Sequence, residues 1–448
     1  MNNRHVFRLA CIASLGGFLF GFDTAVISGT TDLVKGQFEL GDLLQGWYVS
    51  SGLVGCVLGV VGVGFLSDKF GRKRSLLLSA TLFSLSAMGC TVAIGFMDLV
   101  VYRFIGGIGV GVASMLSPMY IAEIAPQQAR GKLTSLYQLA ITIGILVAFL
   151  TNALIQGYAL KAAGSQDYFN FIFGTEQWRG MLGAETVPAL LFFLLLLSIP
   201  ESPRWLWSRG KKAEARRIIE QYQVQDFDSD EKRSDKASIN YFKTKGIKTA
   251  IIAGAVLAIL TQTSGINAIM YYGNSILQEG GADSQSAFYG QALVGTINFA
   301  FTFIAIFTID KIGRKKLLLV GVTIIIVSLL LVGYMFYIDS STKLKLLFIL
   351  TFVASFAFSY GPVIWVLLSE LFPTSIRGRA MSIAVLSLWV ANTAVGQFVP
   401  WLRTNISESG IFWLFALFCI PTYIVMRYLP ETKGKTLEEI ENHWLSKD

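Results

Sequence analysis

Twelve long apolar runs, separated by short polar intervals, organise the chain. They lie at roughly 6–29, 43–66, 75–95, 98–122, 133–155, 179–199, 249–273, 288–309, 317–338, 346–369, 379–400 and 411–429. A helix crossing a bilayer needs about 20 predominantly apolar residues, and each run approaches or exceeds that length. The pattern predicts an all-α integral membrane protein of twelve transmembrane helices. The first run follows Arg4 and Arg8, as a signal peptide would. Its length, the Asp23 inside it and the lack of a small-residue cleavage site predict instead a retained first span.

One polar interval is much longer than the rest. Glu201 to Lys248 divides the runs into two sets of six, giving expected boundaries of 1–200, 201–248, 249–430 and 431–448 for bundle, linker, bundle and tail. Within the linker, Lys211–Tyr222 (KKAEARRIIEQY) spaces its apolar residues as an amphipathic helix does, and Asp226–Asp235 reads as a mixed-charge connection. The two sets echo each other. Asp68-Lys-Phe-Gly-Arg-Lys-Arg74 returns as Asp310-Lys-Ile-Gly-Arg-Lys-Lys316, after the second run of each set. Glu123 with Pro126, Arg130 and Gly131 returns as Glu370 with Pro373, Arg377 and Gly378, after the fourth. Pro200-Glu201-Ser202 and Pro430-Glu431-Thr432 close the sixth. Three landmarks in one order indicate an internal duplication into two pseudo-symmetric six-helix bundles, a construction used by transporters.

Composition narrows the class. Of the 448 residues 53% are hydrophobic and 15% charged, against about 25% charged in soluble proteins, and mean hydropathy is +0.57. A soluble enzyme, a disordered chain and a secreted disulfide scaffold are thereby excluded. Thirty of the 37 Lys and Arg fall in the intervals that are cytoplasmic if the N-terminus is inside, so both termini are expected in the cytoplasm. The net charge of +8 then faces anionic inner-leaflet lipid, and no nucleic acid partner is expected. Cys11, Cys56, Cys90 and Cys419 all fall in apolar runs without metal-ligand spacing, so buried thiols, no disulfide and no metal site are expected. The only histidines, His5 and His443, sit at the ends, which leaves intramembrane proton chemistry to carboxylates.

Three ionisable residues lie well inside the runs: Asp23, Arg103 and Glu185. A charge at a helix centre costs at least about 2.5–3.5 kcal/mol, so such residues are functional candidates. Counting from the run ends at 1.5 Å per residue puts Asp23 and Arg103 at a common depth, roughly 8–9 Å from the outer surface, where they can pair. An acid in dry surroundings holds its proton, and a guanidinium beside it drives the proton off. An Asp whose access to Arg103 changes with conformation would load and release a proton; the other reading is a fixed ion pair joining two helices. Glu185 reads equally as a partner of Arg103 or of helices at the cytoplasmic gate.

The loops quoted above, Tyr102-Arg103-Phe-Ile-Gly-Gly-Ile-Gly-Val-Gly111, Pro200-Glu-Ser-Pro-Arg-Trp205, Gln262-x-x-Gly-Ile-Asn267 and Pro430-Glu-Thr-Lys-Gly434 resemble, in order and over essentially the whole chain, the sugar porter family of the major facilitator superfamily. Phe20-Gly-Phe-Asp-Thr-Ala-Val-Ile-Ser-Gly29 is similar to the corresponding segment of bacterial D-xylose and hexose–proton symporters. The resemblance implies the major facilitator fold and proton coupling through Asp23, Arg103 and Glu185, since facilitative glucose carriers have Asn at the Asp23 position. It also implies sugar binding by Gln138, Gln262, Asn267, Trp365, Trp389 and Asn392, with Phe20 and Tyr271. Amides offer both donors and acceptors to hydroxyls, and indoles cover the CH faces of a sugar ring. A lone intramembrane amide reads as a helix bridge; this matched cluster reads as a ligand site. Gln262 and Asn267 stand about 140° apart on an ideal helix, so a bend at Ser264-Gly265 is required for both to reach one ligand. Tyr360-Gly361-Pro362 offers a similar break.

Three positions depart from the xylose pattern: Thr261, Leu388 and Ile145 stand where such symporters carry Gln. The expected pocket is more apolar and roomier, closer to that of a hexose carrier. Asp68, Arg72, Glu123, Arg130, Glu201 and Arg204, with Asp310, Arg314, Glu370, Arg377 and Glu431, match the family's cytoplasmic gate network; positive-inside anchoring is the simpler reading of the basic loops. Gly106-Gly107-x-Gly109-x-Gly111 lies inside a span with no preceding strand, so close helix packing is expected there and not nucleotide binding. The sequence thus points to a monomeric bacterial inner-membrane carrier, not an enzyme, that takes up a hexose or pentose such as glucose or xylose with H⁺ as coupling ion and no other cofactor. A facilitative sugar uniporter and another proton-coupled carrier, such as a drug exporter, are the competing readings.

Overall fold

The computed structural model describes residues 4–126, 129–161, 168–222, 244–372, 376–435 and 437–446. Twelve helical spans are long and apolar enough to cross a membrane: Arg4–Gln37, Asp42–Phe70, Arg72–Val92, Phe96–Ile124, Gly131–Ala159, Gln177–Leu197, Lys245–Glu279, Ser284–Ile309, Arg314–Tyr337, Thr342–Leu371, Arg379–Ile406 and Glu408–Tyr428. They are numbered spans 1 to 12 below. No strand occurs among the described residues. Each expected run lies mostly within a span, and most helices continue past the apolar core into polar turns. Span 1, for example, forms 34 residues of helix.

Four spans are broken, each where the sequence disfavours continuous helix. Pro188 has no N–H for the carbonyl of Ala184, which instead accepts from Val187 at 3.3 Å, and span 6 divides into Gln177–Gly183 and Thr186–Leu197. Span 7 divides into Lys245–Thr263 and Ile266–Glu279 around Gly265, whose φ of 90° is left-handed. Span 10 breaks at Ser359, three residues before Pro362, and span 12 breaks just before Pro421. The breaks in spans 7 and 10 are those that the Ser264-Gly265 and Tyr360-Gly361-Pro362 sequences predict. Glu185 sits at the break of span 6, an adjustment the apolar pattern alone does not reveal.

The chain forms two compact units, Met1–Phe38 with Ser51–Ala237 and Glu39–Ser50 with Ser238–Asp448. In the first, span 1 packs along span 5 and span 3 along span 4. Glycines let the backbones of spans 2 and 4 touch: a Cβ on Gly107 would collide with the Gly52 carbonyl, and one on Gly111 with that of Cys56. The Gly-rich run of span 4 is therefore a packing surface. In the second unit, the first helix of span 7 packs on span 11, and span 9 on spans 10 and 12. The first turns of span 2 belong to this unit, where Ser50 Oγ donates to Gln397 Oε1 at 2.6 Å.

Outside the spans, Pro203–Ser208 and Lys212–Tyr222 are helical, as the amphipathic pattern predicts for the latter; the Asp226–Asp235 connection lies outside the described residues. Leu437–Leu445 forms a further helix with Trp444 fully buried. Cys56, Cys90 and Cys419 are buried free thiols, whereas Cys11 is exposed on the surface of span 1. An apolar run places a residue in the membrane; only packing decides whether it faces protein or lipid.

Candidate functional site

In the first unit, span 1 brings Asp23 to Arg103 of span 4, and Arg103 Nη1 and Asp23 Oδ1 form an ion pair. The Arg103 side chain is only 5% exposed and that of Asp23 15%, so bulk water does little to screen them. Gly52 of span 2 leaves room for the guanidinium, since a Cβ there would lie 3.1 Å from Arg103 Nη2. Glu185 is buried in the same unit, and its Oε1 has no hydrogen-bond partner among the described residues. Asp23, Glu185 and Arg103 thus place two carboxylates and a guanidinium out of reach of bulk water in this unit. Phe20 of span 1 and Gln138 of span 5 are half-buried on helices that pack closely: a Cβ on Gly21 would meet the Ile141 carbonyl and one on Gly144 that of Phe18.

In the second unit, the break of span 7 closes the angle between two amides. Asn267 Nδ2 donates to Gln262 Oε1 at 2.5 Å across Ser264-Gly265. Tyr271 donates through its hydroxyl to Asn392 Oδ1 at 3.1 Å, and Tyr272 to the Gly396 carbonyl at 2.6 Å, both on span 11. Trp389 is buried on that span, and Trp365 is half-buried on span 10. Gln291 of span 8 is an amide that sequence reasoning missed. It is buried, donates to the Ile269 carbonyl at 3.1 Å, and lies against Gly273, where any Cβ would collide with it. Its signal in the sequence, a glycine on the neighbouring span, is too faint to find unaided.

At the three departures from the xylose pattern no amide is supplied. Thr261 is buried and spends its hydroxyl on the Leu257 carbonyl of its own helix, at 2.8 Å. Leu388 and Ile145 are buried and apolar.

The duplicated loops build the same device twice. In the first unit Gly71 adopts φ 93°, and the helix of span 3 starts at Arg72. Arg72 Nε donates to both carboxylate oxygens of Glu123 at 3.1 Å, with Nη2 3.0 Å from Oε1, and Nη1 reaches Asp68 at 3.5 Å. Glu201 accepts the backbone N–H groups of Arg72 at 2.8 Å, Lys73 at 3.1 Å and Ser202 at 2.8 Å, so a carboxylate caps the first turn of span 3. Burial pushes the Glu201 carboxyl above the ordinary glutamate range, and these N–H donors and Arg72 pull it back.

In the second unit Gly313 adopts φ 97° and Arg314 Nη2 and Nε donate to Glu370 at 2.9 and 3.1 Å. Glu431 accepts the N–H groups of Arg314, Lys315 and Thr432 at 3.1, 3.0 and 3.0 Å. Each clamp ties helix ends within its own unit. Arg204 is half-buried on Pro203–Ser208 with its Nε unpartnered among the described residues. The side chains of Arg130, Asp310 and Arg377 lie outside the described part.

These features can be compared with known proteins. A family model described as "Sugar (and other) transporter" matches residues 9–444. The D-xylose-proton symporter of Escherichia coli K12 is 38% identical, over 99% of this chain and 96% of its own length. The arabinose-proton symporter of Bacillus subtilis strain 168 is 39% identical, over 98% and 95%. The partially occluded, inward-open structure of the xylose transporter XylE from Escherichia coli superposes with a TM-score of 0.82 at 37% identity, over 96% of this chain and 99% of that one. This is a family of transporters and not of enzymes, and its structures carry the major facilitator fold. The chain belongs to the sugar transporter family.

Proposed function

We propose that the protein is a proton-coupled monosaccharide symporter working by alternating access. The observation that carries this reading is the Asp23–Arg103 ion pair buried beside Glu185, an ionisable set inside the spans, where charge is costly and marks proton or ion pathways. The relatives named as D-xylose- and arabinose-proton symporters support it. The membrane potential contributes about 2.3 kcal/mol per 100 mV for each charge carried inward, to which any pH gradient adds.

The sugar ligands are Gln262, Asn267, Tyr271, Trp365, Trp389 and Asn392, with Phe20 and Gln138 from the first six spans. A sugar hydroxyl replaces the Gln262–Asn267 and Tyr271–Asn392 bonds by equivalent ones. Because positions 145, 261 and 388 offer no free amide, the site takes a hexose at least as well as xylose. The Arg72–Glu123 and Arg314–Glu370 clamps, with Asp68, Arg130, Glu201, Arg204, Asp310, Arg377 and Glu431, serve the cytoplasmic gate. The protein works as a monomer in a bacterial inner membrane, with both termini cytoplasmic, six-span bundles at 1–200 and 249–430, a linker at 201–248 and a tail at 431–448.

Uptake of labelled glucose, xylose and galactose by proteoliposomes, with and without an inward proton gradient, tests the function. Accumulation above the external concentration is expected only with the gradient. Equilibration to the same level in both conditions identifies a uniporter.

A further inference from the structure

The helices after span 6 carry cations that the transport cycle leaves unused. Ser202 Oγ caps the first by accepting the Trp205 N–H at 3.3 Å, and Gly210, at φ 76°, turns the chain into Lys212–Tyr222. The second helix buries Ala215 and half-buries Ile218, Ile219 and Tyr222, so this edge lies against protein. Lys212 and Arg216, one turn apart and exposed, flank that edge. Both lie over the indole of Trp207, at 5.3 and 5.8 Å from the ring centroid. Trp205 Nε1 donates to the Asp68 carbonyl at 2.9 Å, which fixes the preceding helix to the last turns of span 2. There Lys69 lies 5.4 and 5.2 Å from the rings of Phe65 and Phe70, which are 69% and 41% exposed. The nearby acid Glu214 faces Lys211 at 3.9 Å, and Glu220 is the other acid of the helix.

We propose that Trp207, Lys212 and Arg216, with Lys69 at the adjoining end of span 2, hold the headgroup of an anionic phospholipid. An indole face holds a cation without using up its hydrogen-bond donors, so a guanidinium or ammonium stacked there can still donate to a phosphate. Tryptophan favours the depth of the headgroups, and basic residues beside a span are drawn to anionic lipid. The exposed rings on span 2 place this charge at the edge of the bilayer. That setting selects a lipid over free phosphate, which has no use for an apolar wall.

Native mass spectrometry of the full chain released from vesicles of phosphatidylcholine, with and without phosphatidylglycerol, tests the site. Wild type should retain phosphatidylglycerol in preference to phosphatidylcholine. Lys212→Gln with Arg216→Gln should weaken that retention by about fivefold per cation, or on the order of 25-fold together. Trp207→Ala should also weaken it, whereas Lys211→Gln with Arg217→Gln, the same charge change on other faces, should leave it within about twofold of wild type. Equal retention of the two lipids overturns the proposal. So does an equal loss in both double variants, which would indicate net charge alone, and so does displacement of the lipid by inorganic phosphate. Elution of every variant at the wild-type volume confirms folding, and no readout depends on which sugar is carried.

Discussion

A side-chain amide in a membrane interior must find a partner, and Gln262 finds Asn267 at 2.5 Å. Their spacing of five residues would point them apart on a regular helix, so the pairing depends on the break between them. That dependence was legible, because Ser264-Gly265 is written into the sequence. Gln291 was not: an isolated amide on span 8 reads as a helix bridge until the Gly273 notch opposite it is seen. If Gln262 bonds a sugar hydroxyl, Gln262→Ala should weaken sugar binding by on the order of 1–3 kcal/mol, the cost of leaving a buried polar group unpaired. Isothermal titration on the purified variant checks this, and an unchanged Kd in a folded protein removes Gln262 from the site.

At the scale of elements, the breaks and clamps differ in how they were encoded. Apolar periodicity located the spans but is blind to a helix that stops and restarts inside one; the break of span 6 at Glu185 is the example. Proline and glycine carry that information locally. Gly265 combines a left-handed φ of 90° with the Phe415 ring against its Cα. Gly265→Ala should therefore cost at least about 1–2 kcal/mol from the backbone alone, read as a lowered melting temperature in detergent, and Gly265→Asn, whose Cβ meets the same ring, should not restore it. The duplicated loops were legible as motifs, but not the capping of spans 3 and 9 by Glu201 and Glu431. The proposed gate role ties these contacts to one state of the transport cycle. Arg72→Gln with Arg314→Gln should shift the resting population toward inward-open, because it removes the side-chain half of both clamps. Cysteine accessibility labelling from both sides measures that shift, and an unchanged pattern would reduce these loops to determinants of topology.

At the scale of the molecule, transport requires that proton and sugar binding favour the same change of state, which is a question of coupling free energy. Composition had already left the carboxylates as the only proton carriers within the spans, and the equal depths of Asp23 and Arg103 had suggested their pairing. The structure pairs them. Spacing also puts Glu185 near that depth; what it could not supply is the helix break that seats it there, or its Oε1 without a hydrogen-bond partner among the described residues. Asn at position 23 is nearly isosteric with Asp and keeps its hydrogen-bonding capacity, but it cannot change charge. Asp23→Asn should therefore abolish accumulation driven by a proton gradient while sugar binding, and downhill exchange with it, stays close to wild type. Wild-type uptake should fall as external pH rises through the functional pKa of the site, and the variant should lose that dependence. Parallel measurements of counterflow and gradient-driven uptake in proteoliposomes separate the two activities. Should Asp23→Asn still accumulate sugar with normal pH dependence, the Asp23–Arg103 pair would be a structural tie between spans 1 and 4. The proton would then be carried by Glu185, and Glu185→Gln would be the variant that uncouples transport.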